Sequence, residues 1–317
     1  MSLAFVFPGQ GSQSVGMMSA LAKLSPVIEA TFAQASDVLG YDLWKRCQDG
    51  PVEALNATEC TQPAMLTAGV ATYRLWIERG GARPRLMAGH SLGEWSALVA
   101  AGSLEFTTAV GLVKFRAEAM QAAVPKGQGA MAAILGLEDA DVQAVCREAG
   151  HGEVVEAVNF NAPGQVVIAG AASAVARAVE TATAKGARRA MTLAVSVPAH
   201  SSLMAPAAEQ LRLRLNGIPV AAPVEIMVYG VDLTTHAEPS EIRAGLVKQL
   251  HTPVYWSETV RRMIAAGATH IVECGPGKVL TSLNRRIDKN RDLKMLALED
   301  AQSLDDALAL SVKESPC

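Results

Sequence analysis

The stretch Gly89 to Glu94 reads G-H-S-L-G-E, preceded by the apolar run Leu86-Met87-Ala88 and followed by Trp95-Ser96-Ala97-Leu98-Val99-Ala100-Ala101. Strand, tight turn and helix are the expectation, with Ser91 at the apex. The G-x-S-x-G spacing has a steric reason. Swinging a serine through such a turn crowds the positions two before and two after it, and Gly89 and Gly93 carry no side chain to collide there. The Ser91 hydroxyl then lies at a helix N-terminus, where free amides and the helix dipole stabilise a developing oxyanion. An ordinary glycine-bounded turn shares these letters, but the flanking strand and helix favour a nucleophile that forms an acyl-enzyme.

Outward from this turn the first third alternates strand and helix, as in an α/β sheet layered by helices. Leu3 to Phe7 reads as a buried strand that breaks at Pro8-Gly9-Gln10-Gly11-Ser12-Gln13. Helices are expected from about Met17, over Pro26 to Leu39, over Pro63 to Ile77, and over Leu104 to Val124, closed by Pro125. From Gly127 the rhythm changes. Strands at Ala130 to Leu137, Val154 to Asn159, Gln165 to Ala169 and Arg188 to Val197, with helices at Asp139 to Ala149 and Ser173 to Lys185, give β-α-β-β-α-β, the order of a ferredoxin-like unit. A small subdomain, 126–197, is therefore expected as an insert in a larger one made of 1–125 and 198–317. In the latter, helices follow at Leu203 to Leu215, Ile242 to Gln249 and Thr259 to Ala266, and strands at Val224 to Tyr229 and Thr269 to Glu273.

The chain has 317 residues, half of them hydrophobic, 19% charged and only 4% aromatic, which describes a globular protein with a sizeable core. A formal net charge of -3 gives no overall attraction to nucleic acid or anionic lipid. No run approaches the roughly 18 apolar residues of a membrane span. The five cysteines, Cys47, Cys60, Cys146, Cys274 and Cys317, are odd in number and form no C-x-x-C pair. A reducing cytoplasm is the expected compartment, and no metal site is expected.

A nucleophilic serine needs a base, and spacing alone does not choose among His90, His151, His200, His236, His251 and His270. His200 is the best placed, after the apolar strand and where the insert rejoins the larger unit, a junction where clefts form. Its orienter is either Asp232 or a backbone carbonyl, which fixes the tautomer without adding charge. Arg116 has Leu112, Val113, Ala119 and Met120 at helical spacing, so it lies on the buried face of its helix. Its anionic partner is either a structural carboxylate or a substrate carboxylate gripped by the guanidinium fork. Neither Gly9-Gln10-Gly11 nor Gly275-Pro276-Gly277-Lys278 completes a nucleotide motif. The amides near Gln10 suit a second oxyanion donor.

Taken together, these residues resemble the malonyl-CoA:acyl carrier protein transacylases of fatty acid synthesis and the related acyltransferase domains of polyketide synthases. The resemblance rests on F-P-G-Q-G-S-Q (Phe7 to Gln13), T-Q-P (Thr61 to Pro63), G-H-S-L-G-E, K-F-R-A-E-A-M-Q (Lys114 to Gln121), N-F-N-A-P-G-Q-V-V-I-A-G (Asn159 to Gly170), S-V-P-A-H (Ser196 to His200), Q-L-H-T-P-V-Y-W (Gln249 to Trp256) and G-P-G-K-V-L (Gly275 to Leu280), in the family's order. It implies an α/β-hydrolase-like subdomain with a parallel sheet plus the inserted ferredoxin-like one. It also implies Ser91 as nucleophile, His200 as base and the Gln249 main-chain carbonyl as orienter. Amides of Gln10 and Leu92 would form the oxyanion hole, Arg116 would bind the free carboxylate of malonyl, and Gln62 would line the substrate site. The implied reaction is ping-pong transfer of malonyl from malonyl-CoA to an acyl carrier protein thiol, with no cofactor.

Ala199 stands where family members often carry serine, and Tyr229-Gly230 where they carry asparagines, both near the implied site. The carrier of this pathway is acidic, so Lys185, Arg188 and Arg189, with Arg285 and Arg286 after the last sheet strand, are candidate docking residues. Rival functions are an acyltransferase serving a polyketide synthase, the transacylase of a malonate decarboxylase system, a serine esterase or thioesterase, and a non-catalytic carrier-binding module. A hydrolase would ordinarily orient its histidine with an acid and gives no reason for Arg116.

Overall fold

The computed structural model describes residues 2–195, 197–223, 226–227 and 231–311. In chain order the elements are β1 (Leu3–Phe7), α1 (Ser19–Ala22), α2 (Val27–Leu39), α3 (Leu43–Asp49), α4 (Val52–Asn56), α5 (Thr58–Glu78), β2 (Leu86–Gly89), α6 (Gly93–Ala100), α7 (Phe106–Ala123), β3 (Gly129–Leu135), α8 (Asp139–Gly150), β4 (Val155–Ala162), β5 (Gln165–Ala171), α9 (Ala172–Ala184), β6 (Arg189–Thr192), α10 (Ala205–Leu215), β7 (Ile226–Met227), α11 (Pro239–Gln249), α12 (Trp256–Ala265), β8 (His270–Glu273), α13 (Val279–Ile287), β9 (Lys294–Ala297) and α14 (Ala301–Ser311).

Among the described residues, five strands form one sheet in the order β7-β2-β1-β8-β9, every pair parallel. The central strand β1 explains the layering. Side chains alternate across a strand, so Phe5 and Phe7 enter one apolar layer with Trp76 and Trp95, while Ala4 and Val6 enter another with Trp256 and Leu283. All four are fully buried, as a parallel sheet covered on both faces requires. Because the strands run the same way, their C-terminal ends share one edge. The register Phe7 to Gly89 there sets the Gln10 loop beside the Ser91 turn, the usual place for a site in such a sheet.

The second sheet is antiparallel in the order β4-β5-β3-β6, which is ferredoxin-like. One face packs on α8 and α9 through Ile134, Val166 and Ile168 against Val142, Val145, Val175 and Ala178. The opposite face carries Met131, Val158, Val167 and Ala169, and two of these, Met131 and Val167, look into the cleft at Ser91. The main chain of Val254 joins the two halves, donating to Val158 at 2.8 Å and accepting from Phe160 at 2.9 Å.

Several expected elements differ from the observed ones. The helix expected from Pro63 begins at Thr58, because the extended Ala57 starts it a turn earlier and Pro63 is carried inside. The strand expected through Val197 ends at Thr192, where the chain leaves β3 and bends toward the cleft, and Ser196 lies outside the described residues. Of the strand expected over Val224 to Tyr229, the described part is Ile226–Met227. Arg285 and Arg286 do not follow the last strand: they end α13, and β9 comes after them. α3, α4, α13, β9 and α14 have no counterpart among the expected elements. No helix among the described residues is long and apolar enough to cross a membrane.

Candidate active site

The Ser91 turn is built by close backbone approaches. A Cβ on Gly89 would come within 1.9 Å of the Glu94 nitrogen, and one on Gly93 within 1.9 Å of the Phe7 carbonyl oxygen. A Cβ on Gly9 would lie 2.5 Å from the His90 carbonyl oxygen and 3.7 Å from the Leu92 nitrogen, so the loop after β1 is pressed against the turn after β2. Ser91 itself has φ 52, a left-handed conformation costly for any residue but glycine. Among the described residues, the amides of Gln10 and Leu92 donate to no protein acceptor. They are available to a negative oxygen formed at Ser91.

His200 is the histidine brought to the serine. Its Nε2 lies 2.7 Å from Ser91 Oγ and its Nδ1 lies 2.7 Å from the Gln249 carbonyl oxygen. A carbonyl only accepts, so Nδ1 carries the proton and Nε2 accepts from the Ser91 hydroxyl. The His200 main-chain N–H donates to the Leu250 carbonyl at 3.0 Å, and its φ is 66. Burial, then the charge of Arg116, pushes its pKa down to about 3, so the ring is a neutral base at physiological pH. Asp232, the alternative orienter, instead accepts from Thr234 and pairs with His236 at 2.8 Å. His90 turns away from the serine and meets Asn161 Oδ1 at 2.8 Å.

Arg116 is 1% exposed, on the buried face of α7 as its spacing predicts. Its partners are amide oxygens: Nη1 donates to Gln62 Oε1 at 2.6 Å and Nη2 to Gln249 Oε1 at 3.2 Å. Among the described residues it makes no direct ion pair, and its Nε has no partner. Burial lowers its pKa to about 10, which leaves it cationic. The structural-carboxylate alternative takes an indirect form: Glu94, whose pKa burial pushes up to about 8, is bonded to Gln249 and not to Arg116.

A cavity of about 240 Å³ opens on this centre, lined from the parallel-sheet side by Gln10, His90 and Ser91, from the antiparallel sheet by Met131, Asn161, Gln165 and Val167, and from their junction by Ala199 and His200. Ala199 thus stands in the cavity wall, whereas Tyr229 and Gly230 lie outside the described residues. The Gly275-Pro276-Gly277 loop packs on Pro8 and Ser12. The first amides of α13 are taken by Glu273, whose carboxylate accepts from Leu280 at 3.0 Å and Thr281 at 2.7 Å.

The five candidate docking cations are all exposed, but they do not form one patch. Lys185 pairs with Glu148 at 2.5 Å, and Arg285 donates to the Met295 carbonyl on the β9 side. Arg286 donates to Gln165 and to the Pro163 carbonyl, while Arg188 abuts Gly136, whose amide bonds the Gly164 carbonyl. Arg188 and Arg286 therefore flank the same Pro163–Gly164 turn, between the cavity-lining residues Asn161 and Gln165.

Glu94 and Asn161 were not singled out from sequence as site residues. Glu94 had a signal, since it is the one charged side chain in the helix G-E-W-S-A-L-V-A and is 1% exposed. Asn161 had none, because its role depends on how β4 faces the serine turn.

A serine and neutral histidine at one edge of a parallel sheet, with free amides and a buried cation beside them, define an acyl-transferring site. The family model described as an acyl transferase domain matches residues 4–299, and the chain belongs to that family. The malonyl CoA-acyl carrier protein transacylase of Escherichia coli (strain K12) is 55% identical over 284 residues, covering 90% of this chain and 92% of that one. The crystal structure of an acyl carrier protein S-malonyltransferase from Vibrio cholerae superposes with a TM-score of 0.93 at 51% identity, covering 96% of this chain and 99% of the other. A malonyl-transacylase in complex with a type II PKS acyl-carrier protein gives 0.96 at 51% identity, over 98% and 100% of the two chains.

Proposed function

We propose that this protein transfers malonyl from malonyl-CoA to the phosphopantetheine thiol of an acyl carrier protein in fatty acid biosynthesis, through a malonyl-Ser91 intermediate. One observation carries it: the residue whose main-chain carbonyl holds His200 also bonds Arg116 through its side chain, so one residue, Gln249, ties the proton relay to the buried cation. His200 Nε2 takes the hydroxyl proton as Ser91 Oγ attacks the thioester carbonyl, and the oxyanion is held by the Gln10 and Leu92 amides. Collapse expels the coenzyme A thiolate, which takes the proton from Nε2. The carrier thiol then gives its proton to Nε2, attacks the Ser91 ester and leaves as malonyl thioester, and the proton returns to Ser91 Oγ.

Arg116, shared with Gln62 and Gln249, grips the malonyl carboxylate with its remaining N–H donors. Every proton and electron pair has a place on these residues and substrates, so the reaction as written uses no cofactor. Arg188 and Arg286, flanking the Pro163–Gly164 turn, are the strongest docking candidates for an acidic carrier. The insert supplies Met131, Asn161, Gln165 and Val167 to the cavity at Ser91. The free cysteines among the described residues, Cys47, Cys60, Cys146 and Cys274, fit a reducing cytoplasm. The relative in complex with a type II PKS carrier supports a polyketide carrier as a second class of recipient.

Mass measurement of the protein after mixing with malonyl-CoA, with and without holo carrier protein, tests the proposal. A malonyl adduct on Ser91 that moves to the carrier is expected. An adduct discharged to water at the same rate with or without carrier would instead mark a thioesterase.

A further inference from the structure

Glu94 is a buried carboxylate that the transfer mechanism does not use. It lies in the first turn of α6, three residues past Ser91. Its Oε2 accepts from Gln249 Nε2, and its Oε1 has no partner among the described residues. The side-chain amide of Gln249 stands between Glu94 and Arg116. Nε2 faces Glu94 and donates also to the Ser91 carbonyl at 3.1 Å, while Oε1 accepts from Arg116 at 3.2 Å.

The two ends of a glutamine amide have nearly the same shape, so neighbours decide which way it faces. Here Glu94 Oε2 accepts from the NH2 end, and a guanidinium, which only donates, holds the oxygen end. Burial pushes the Glu94 pKa up to about 8, and with the proton of the neutral carboxyl on the unpartnered Oε1, Oε2 still accepts. Turning the amide over would set oxygen against Glu94 Oε2 and NH2 against guanidinium. A direct Glu94–Arg116 pair would occupy the fork. With the amide between them, Arg116 keeps N–H donors for an incoming carboxylate.

We propose that Glu94 is a positioning residue for selection of a carboxylated acyl group: it orients the Gln249 amide, which in turn aims Arg116. The assignment rests on the malonyl-transfer function proposed above. Glu94 touches neither the acyl group nor the relay side chains. Its effect is read in the choice between malonyl and acetyl.

The test is single-turnover loading from malonyl-CoA and from acetyl-CoA, followed by protein mass, for the unmodified chain, Glu94→Gln, Arg116→Ala and the double variant. Failure of the unmodified chain to take malonyl would sink the proposed function rather than this assignment. Glu94→Gln, of the same shape, lets the facing amide turn over, and the malonyl-to-acetyl rate ratio is expected to fall by about tenfold, the cost of one mispaired buried polar group. In the double variant the ratio is expected to fall no further than in Arg116→Ala alone, because Glu94 acts only through the Gln249 amide on Arg116. An equal slowing of both acyl groups, a raised ratio, or losses that simply add would overturn the assignment. If Glu94→Gln does not fold, Gln249→Met, which keeps the main-chain carbonyl but lacks the amide, is read the same way. A lowered ratio supports the assignment and an unchanged one overturns it.

Discussion

Ser91 Oγ lies 2.7 Å from His200 Nε2 across 109 residues of sequence, and both residues hold left-handed backbone, with φ 52 and 66. Non-glycine residues persist there only when their surroundings over-determine them, at a cost on the order of 1–3 kcal/mol each. Around Ser91 the constraint is the glycine-bounded turn against Phe7 and His90. Around His200 it is the pair of carbonyls at Gln249 and Leu250.

Removal of either partner stops the relay. Ser91→Ala is expected to show no malonyl adduct by mass, and His200→Ala to slow loading by roughly two to four orders of magnitude, since the hydroxyl loses its base. Ser91→Ala protein that still turned over would refute the acyl-enzyme.

Malonyl differs from acetyl by one carboxylate, and burying it unpaired is costly, so its acceptance needs a fixed cation. Arg116→Ala is expected to lower malonyl transfer by a factor on the order of tens to thousands, while neutral acyl groups load as well as before or better. Parallel loss of both substrates together with folded protein would make Arg116 a structural residue.

His200 has a pKa pushed down to about 3, by burial first and Arg116 second, so the acid limb of loading should not fall near the ordinary histidine value. A rate flat within about twofold between about pH 5 and 7.5 is expected, against an ordinary histidine half-protonated at about 6.5. With Arg116→Ala, a cation beside the ring is gone and the acid limb of acetyl loading should move to higher pH. Stability carries a matching sign. Between 6.5 and about 3 the unfolded histidine binds a proton that the folded one does not, so this contribution is present above 6.5 and is lost as pH falls toward 3. Denaturant titrations across that window check it.

Gly93→Ala would set a methyl 1.9 Å from the Phe7 carbonyl oxygen, where backbone must move. A loss on the order of 3 kcal/mol is expected, seen as a lowered Tm together with loss of serine loading. Unchanged melting would mean the turn accepts a side chain.

Charge reversal at Arg188 and Arg286 is expected to raise KM for carrier protein more at low salt than at high salt, because steering by exposed charges is screened. An unchanged KM at low salt would remove this pair from the docking surface.

Local rules carried much of this protein. The G-x-S-x-G turn, the alternation of Ala4 and Val6 with Phe5 and Phe7, and the helical spacing that buries Arg116 are properties of neighbouring residues, so they were legible in the chain. The βαββαβ order was legible too, because strand and helix periods differ. What the residues left open were the contacts made across long separations. Six histidines were available as bases, and proximity to Ser91 was decided by the bend after β6 and by the main chain at Gln249 and Leu250. The partner of Arg116 was open between a protein and a substrate carboxylate. Packing of α5, α7 and α11 put two neutral amides on it and set Glu94 one amide away. Sequence spacing encodes which side chains share a face of one element, whereas hydrogen bonds between elements depend on docking angles and on which end of an amide meets which charge. The periodicity of no single segment contains that information.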